Sequence, residues 1–126
     1  MDQAVILSTA RTPIGKAYRG SFNDTDAPTL ASYAIKASIT KAGIDPSEVE
    51  DVIMGAAVQQ GTQGYNIGRL SAAASGLPVI VPGMSVDRQC ASGLMAIAIG
   101  AKQIACHEMD IVIGGGVESI SLVQNE

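Results

Sequence analysis

Aromatic residues make up only 3% of the 126-residue sequence; tryptophan is absent and there is a single histidine, His107. A core with so few rings must be built from Ala, Val, Ile, Leu and Met on closely approaching backbones. The 14 glycines, about 11% of the chain against a usual ~7%, fit that requirement. Charge is also scarce, at 16% of residues against a usual ~25%. With 47% apolar residues and a mean hydropathy of +0.26, the chain carries too much apolar surface to remain disordered. Twelve acidic and eight basic residues give a net charge of -4, and they are scattered. No basic stripe exists to follow a phosphate backbone, so no nucleic-acid partner is expected. Long apolar runs are missing as well: Leu70 to Val86 is interrupted by Gly76, Pro78, Pro82 and Gly83. No spanning helix, and hence no membrane partner, is expected. Met1-Asp2-Gln3 places an acid where a secretory leader carries positive charge, and the apolar run after it is short. The expected location is cytoplasmic. The length permits about one domain.

What is present alternates between extended and helical patterns. Ala4 to Thr9 is a short β-branched run closed by Arg11-Thr12-Pro13, and it predicts a buried strand entering a loop over Ile14 to Ala27. Pro28 to Ala42 predicts a helix, with Leu30, Ala34, Ala37 and the Lys41 stem at helical spacing and Gly43 just past its end. Asp45 to Glu48 has capping-box spacing for a single turn. Asp51 to Val58 predicts a second buried strand, followed by a polar loop, Gln59 to Tyr65, whose default is solvent exposure with oligomer contact as the other option. Asn66 caps a helix through Ser75, closed by Gly76 and Pro78. Val79 to Val86 predicts a third strand with a bulge or edge at Pro82-Gly83, and Ser92 to His107 a long helix. Asp110 to Ile113 predicts a fourth strand running into Gly114-Gly115-Gly116, with no helix over Ser119 to Glu126. Strands alternating with helices of this length imply an α/β fold: a mostly parallel sheet with helices on both faces. Its edge calls for a further strand, chain or domain.

Cys90 lies where a strand turns into a helix, in Asp87-Arg88-Gln89-Cys90-Ala91-Ser92-Gly93. In doubly wound sheets, chemistry gathers at the carboxyl ends of the strands. A thiol before a helix meets unpaired N–H groups and the positive end of the dipole. Both favour the thiolate and could receive the oxyanion of a thioester under attack. A buried structural cysteine is the competing account, and the residues alone leave the two open. Cys106 stands sixteen positions on, about 24 Å away along one helix, so the two cannot form a disulfide. Neither thiol has metal-ligand spacing, and no residue is assigned to a metal. His107, at the far end of the same helix, cannot act as the base for Cys90, so a base would have to come from outside the 126 residues. Gly114-Gly115-Gly116 lacks the order and the Lys-Ser/Thr of a phosphate loop; close passage of backbone past backbone, or beneath the Cys90 turn, is the simpler account.

Taken together, Arg11-Thr12-Pro13-Ile14-Gly15, Gly61 to Arg69 with Gly76-Leu77-Pro78, Arg88 to Leu94, and Gly114 to Ser119 resemble the N-terminal part of the thiolases, acyl-CoA C-acyltransferases, in the same order along the chain. Asp87 stands where many members have Asn, and Met95 where Gln is frequent. The resemblance implies that residues 1–126 are the N-terminal part of the family's N-terminal domain. The family's layered fold would be incomplete in this chain, with its C-terminal half a separate chain or lost. It implies an acyl-enzyme on Cys90, followed by Claisen condensation of acyl-CoA or, in reverse, thiolysis of a 3-ketoacyl-CoA, with the Cys90 amide in the oxyanion hole. The family's His, second Cys and Asn lie in the half not represented here. Acyl-CoA and coenzyme A would be substrates, with no permanently bound cofactor and no residue assigned to binding one, and the complete enzyme would be a homo-oligomer. The isolated fragment is expected to be inactive. A non-catalytic binding or assembly module with this fold, and a ketoacyl-synthase-like condensing enzyme, are the alternatives.

Overall fold

The computed structural model describes residues 3–124; Met1 and Asp2 of the N-terminal reading, and residues 125 and 126 of the terminal segment, lie outside the described residues. The first regular element is helix α1, Ala27–Ala42. Asp26 caps it by accepting from the Thr29 amide at 2.8 Å, and Gly43 ends it in the left-handed conformation, φ 69°, donating to Ile39 O. Its buried stripe is Ala27, Ala31, Ile35 and Ile39. That corrects the sequence-based face: Ala37 and Lys41 are exposed and Leu30 only borders the core, because the stripe is set one position away by the β-branched Ile35 and Ile39. Pro46–Glu48 then forms a 3-10 turn with the expected capping box, in which Asp45 accepts from the Ser47 amide and Glu48 accepts from the Asp45 amide.

Strand β1, Asp51–Gly55, is buried along its whole length. Helix α2, Ile67–Ala74, follows, then strand β2, Gly83–Val86, helix α3, Ser92–Ala105, strand β3, Val112–Gly116, and a single helical turn α4, Ile120–Val123, in the segment where the sequence predicts no helix. The three strands are parallel in the order β2-β1-β3. Val52 pairs with Gly83 on one side and Ile113 on the other. Alternation along β1 divides the layers: Val52 and Met54 join α1 and α2 in one core, while Ile53 faces Gly100 of α3 on the opposite face. The α/β class, with a parallel sheet and helices on both faces, is therefore as the sequence predicts.

Several boundaries differ. Ala4 to Thr9 is not a strand: it has no ladder partner among the described residues, and Val5, Ile6 and Leu7 are largely exposed. A β-branched run becomes a strand only beside a free strand edge. Here the run lies on α1 instead, through Ser8 Oγ donating to Ser38 O at 2.7 Å and Lys41 Nζ donating to Thr9 O at 2.9 Å. The second predicted strand ends at Gly55 rather than Val58, because the chain turns away once Ala56 N has donated to Val86 O. The third begins only at Gly83, after Pro82. Before it, Val79 and Ile80 are exposed in a turn whose carbonyls, Val79 O and Val81 O, accept from the Arg69 guanidinium.

Candidate active site

The three glycines at 114–116 lie within β3, not in a loop after it, where they pair with Ile53, Met54 and Gly55. The reason is the approach of α3. A Cβ on Gly114 would lie 2.9 Å from Ile97 Cα, and one on Gly116 would lie 3.0 Å from Gly93 Cα. Gly55 is more crowded still: its Cβ would fall 2.2 Å from the Ser92 carbonyl carbon. The carboxyl ends of β1 and β3 thus form a bare backbone seat for the first turn of α3. Of the two accounts weighed for the triplet, close backbone approach beneath the Cys90 turn is the one that holds. Gly93 itself is less constrained, since a Cβ there would meet Gly116 Cα at an ordinary 3.6 Å.

Cys90 is carried on the turn between β2 and α3, two residues before the first helical residue, Ser92, and it is exposed. Asp87 accepts from the Gln89 amide at 2.8 Å, and Gln89 adopts φ 52°. The buried Ser92 hydroxyl ties the turn from inside, accepting from Arg88 N at 2.8 Å and donating to Gln89 O. Ala91, the residue before the helix, offers no side-chain cap. Among the described residues, the amides of Gly93 and Leu94 have no hydrogen-bond partner and lie at the positive end of the α3 dipole. The site therefore joins an accessible thiol to free helix N–H donors, the arrangement the sequence pattern called for.

The other candidates separate from it. Cys106 caps the far end of α3, about 21 Å from its start, and is a free, exposed thiol; His107 follows it in the left-handed region, φ 59°. Neither comes near Cys90. No group of three or more His, Cys, Asp or Glu among the described residues could hold a metal ion, and no described helix is long and apolar enough to cross a membrane. A cavity of about 270 Å³ lies between Ala10–Ala17, α1 and Gly116–Ser121, and Cys90 does not line it.

One feature ran against expectation. The polar loop after β1 is not simply exposed: it holds a 3-10 turn, Gly61–Gln63, and Gln63 is fully buried. Its amide donates to Val58 O and to Glu118 Oε2, each at 2.8 Å, and its Oε1 accepts from Ser119 N. Glu118 Oε1 accepts from Ala57 N. Only the polarity of both segments hinted at this pairing, since the partners are 55 residues apart.

The described residues thus form a parallel α/β layer with an exposed cysteine just before a helix seated on glycines. The family model described as thiolase, N-terminal domain, matches residues 4–126, and the chain belongs to that family. Among its relatives, the 3-ketoacyl-CoA thiolase of Bacillus subtilis is 41% identical over 123 residues, covering 98% of this chain and 32% of that protein. The acetyl-CoA acetyltransferase of Cupriavidus necator is 40% identical over 121 residues, covering 96% and 30%. The crystal structure of the Bacillus anthracis acetyl-CoA acetyltransferase superposes with a TM-score of 0.90 at 35% identity, over 96% of this chain and 30% of that one. The chain thus spans about a third of the length of these relatives.

Proposed function

We propose that this chain is the nucleophile-bearing part of an acyl-CoA C-acyltransferase, with Cys90 as the catalytic residue. The Cys90 thiolate attacks the carbonyl of an acyl-CoA thioester; the C–S bond to coenzyme A breaks, and coenzyme A leaves as a thiol once it gains a proton. The acyl group then passes to the α-carbanion of a second acyl-CoA, or, in the degradative direction, from Cys90 to coenzyme A after cleavage of a 3-ketoacyl-CoA. The Cys90 amide, with the free donors at the start of α3, would hold the oxyanion. The observation that carries the reading is the exposed thiol set before those donors in a chain of the thiolase family.

The activity requires more polypeptide than these 126 residues. Neither His107 nor Cys106 is near enough to take a proton from Cys90, so the base comes from the completing part, either joined or as a separate chain. Among the described residues, β3 has no strand beyond it and Ala4–Thr9 has no ladder partner, so both offer backbone groups for that part to meet. Coenzyme A thioesters are substrates, and no resident cofactor is invoked. The complete protein is read as a cytoplasmic homo-oligomer: its two free thiols suit a reducing compartment, and the exposed Val79 and Ile80 beside edge strand β2 suit an interface.

Incubation with acetoacetyl-CoA, in the presence of the completing polypeptide, is expected to leave an acetyl group on the Cys90 peptide and none on the Cys106 peptide, as read by peptide mass spectrometry. Acetylation of both thiols alike, or of neither, refutes the assignment. The 126-residue chain alone is expected to show no thiolysis.

A further inference from the structure

Gln63 is the largest fully buried polar side chain among the described residues, and its environment is unusually complete. Both its amide hydrogens are donated, to Val58 O and Glu118 Oε2, and its oxygen accepts from Ser119 N. Glu118 spans two donors in turn, Gln63 Nε2 and Ala57 N, while Ser119 Oγ donates to Thr25 O at 2.7 Å. A carboxylate shared between two N–H groups is a charge-assisted, two-point tie.

The location of this tie gives it meaning. Ala57 is two residues past Gly55, the last of β1, and Glu118 is two residues past Gly116, the last of β3. Those two glycines are the backbone seat of the first turn of α3, and Val117 N donates to Gly55 O at 3.0 Å between them. The tie closes the two strand ends on each other immediately beyond the seat. Resting on the reading of Cys90 as nucleophile, we propose that Glu118 and Gln63 are positioning residues for Cys90: they fix the spacing of the β1 and β3 ends, and so the pose of the thiol before the α3 amides. Neither touches the acyl group.

The pairing demands a particular pattern of donors and acceptors. Glu118→Gln offers one acceptor where two are needed and turns its amide toward the amide of Gln63. Gln63→Met breaks the same tie from its other side, leaving Val58 O, Glu118 Oε2 and Ser119 N without this partner and placing no charge at a fully buried position.

The test uses iodoacetamide on the full chain, with Cys106, exposed at the other end of α3, as internal reference. In Glu118→Gln and in Gln63→Met, each checked to be folded by circular dichroism, the Cys90 rate relative to Cys106 is expected to fall about threefold or more, and the double variant is expected to lie within about twofold of the lower single variant, because both substitutions break one tie. An unchanged ratio in either folded single variant, or falls that multiply in the double variant, overturns the proposal. Should one single variant lose the parental circular dichroism, the other decides by the same ratio; unfolding of both, which would make the tie a requirement of the whole fold, overturns it. The readout needs no acyl transfer, so a parental Cys90 that takes no acetyl group counts against the proposed function and not against the tie.

Discussion

Replacing Gly55 with alanine tests whether the seat beneath α3 is as tight as its geometry states. The added methyl would lie 2.2 Å from the Ser92 carbonyl carbon, 2.4 Å from its oxygen and 2.5 Å from Gly93 N. All three are backbone atoms of a helix turn, so no side chain can swing aside; the turn must retreat by roughly 1 Å or β1 must bend. Overpacking of this kind costs about 1–3 kcal/mol, and a contact made entirely with backbone belongs at the upper end. Against a total stability of about 5–15 kcal/mol, a loss near 3 kcal/mol is large. Gly93→Ala is the matched control: its methyl meets nothing closer than 3.6 Å, and alanine favours the helix by about 0.5–1 kcal/mol over glycine. Urea unfolding followed by circular dichroism should show a lower midpoint at unchanged slope for Gly55→Ala, and no loss for Gly93→Ala. Iodoacetamide should also find the Cys90 rate altered relative to Cys106 only in Gly55→Ala. A Gly55→Ala chain within about 0.5 kcal/mol of the parent, with an unchanged thiol ratio, would refute the reasoning.

Two further substitutions probe buried polar groups. Ser71 Oγ is buried in α2 without a hydrogen-bond partner among the described residues, so Ser71→Ala should stabilise the chain by about 1 kcal/mol, whereas Ser75→Ala, which removes the 2.6 Å bond to Ser71 O, should destabilise it; a lower melting temperature for Ser71→Ala contradicts the assignment. Burial holds the Asp51 carboxyl above its ordinary range, with the Val52 amide bond opposing the shift. The folded state therefore retains the proton more tightly than the unfolded one, so Asp51 contributes stability at low pH that is lost as pH rises through its folded value. Asp51→Asn should raise the melting temperature at neutral pH, with a gain that shrinks as pH falls towards about 4. A gain independent of pH would show that charge burial is not its cause.

The legible parts of the fold were those written in consecutive residues. Pro28 with Gly43, Asp45 with Glu48, and Asn66 with Gly76 are local devices, because a helix end is set by residues within three or four positions, and each stands where its residues point; Asp26, the cap of α1, lies two residues ahead of the predicted start. Strands are different. Ala4 to Thr9 and Val79 to Val81 have strand composition, but a ladder is a property of two segments, and composition in one cannot report whether an edge waits in the other. The glycine triplet reversed the error: it reads as loop by propensity and lies in β3, because α3 comes within backbone contact of it. Propensity lost to packing at both places, in opposite directions.

The candidate site divides along the same line. Cys90 was legible because a turn between strand and helix is a local pattern, and the pattern itself supplies the free amides that would serve the chemistry. The tie between Gln63 and Glu118 was not, since each residue alone resembles a solvated polar side chain, and the meaning lies in their meeting across 55 positions. Even so, the sequence carries one constraint that narrows such pairings. A fully buried amide must find three or more partners, so a glutamine in a loop with adjoining glycines, Gly61 and Gly64, either stays in water or is enclosed by a segment able to offer both a donor and an acceptor. Glu118-Ser119 offers that combination, a carboxylate acceptor followed at once by an amide donor, directly after a strand whose glycines bring it under the first turn of α3. The residues that seat the first turn of α3 are therefore glycines, which carry no side chain, while just beyond them Gln63, with its amide N–H groups and oxygen all bonded, meets Glu118 at an exposed position.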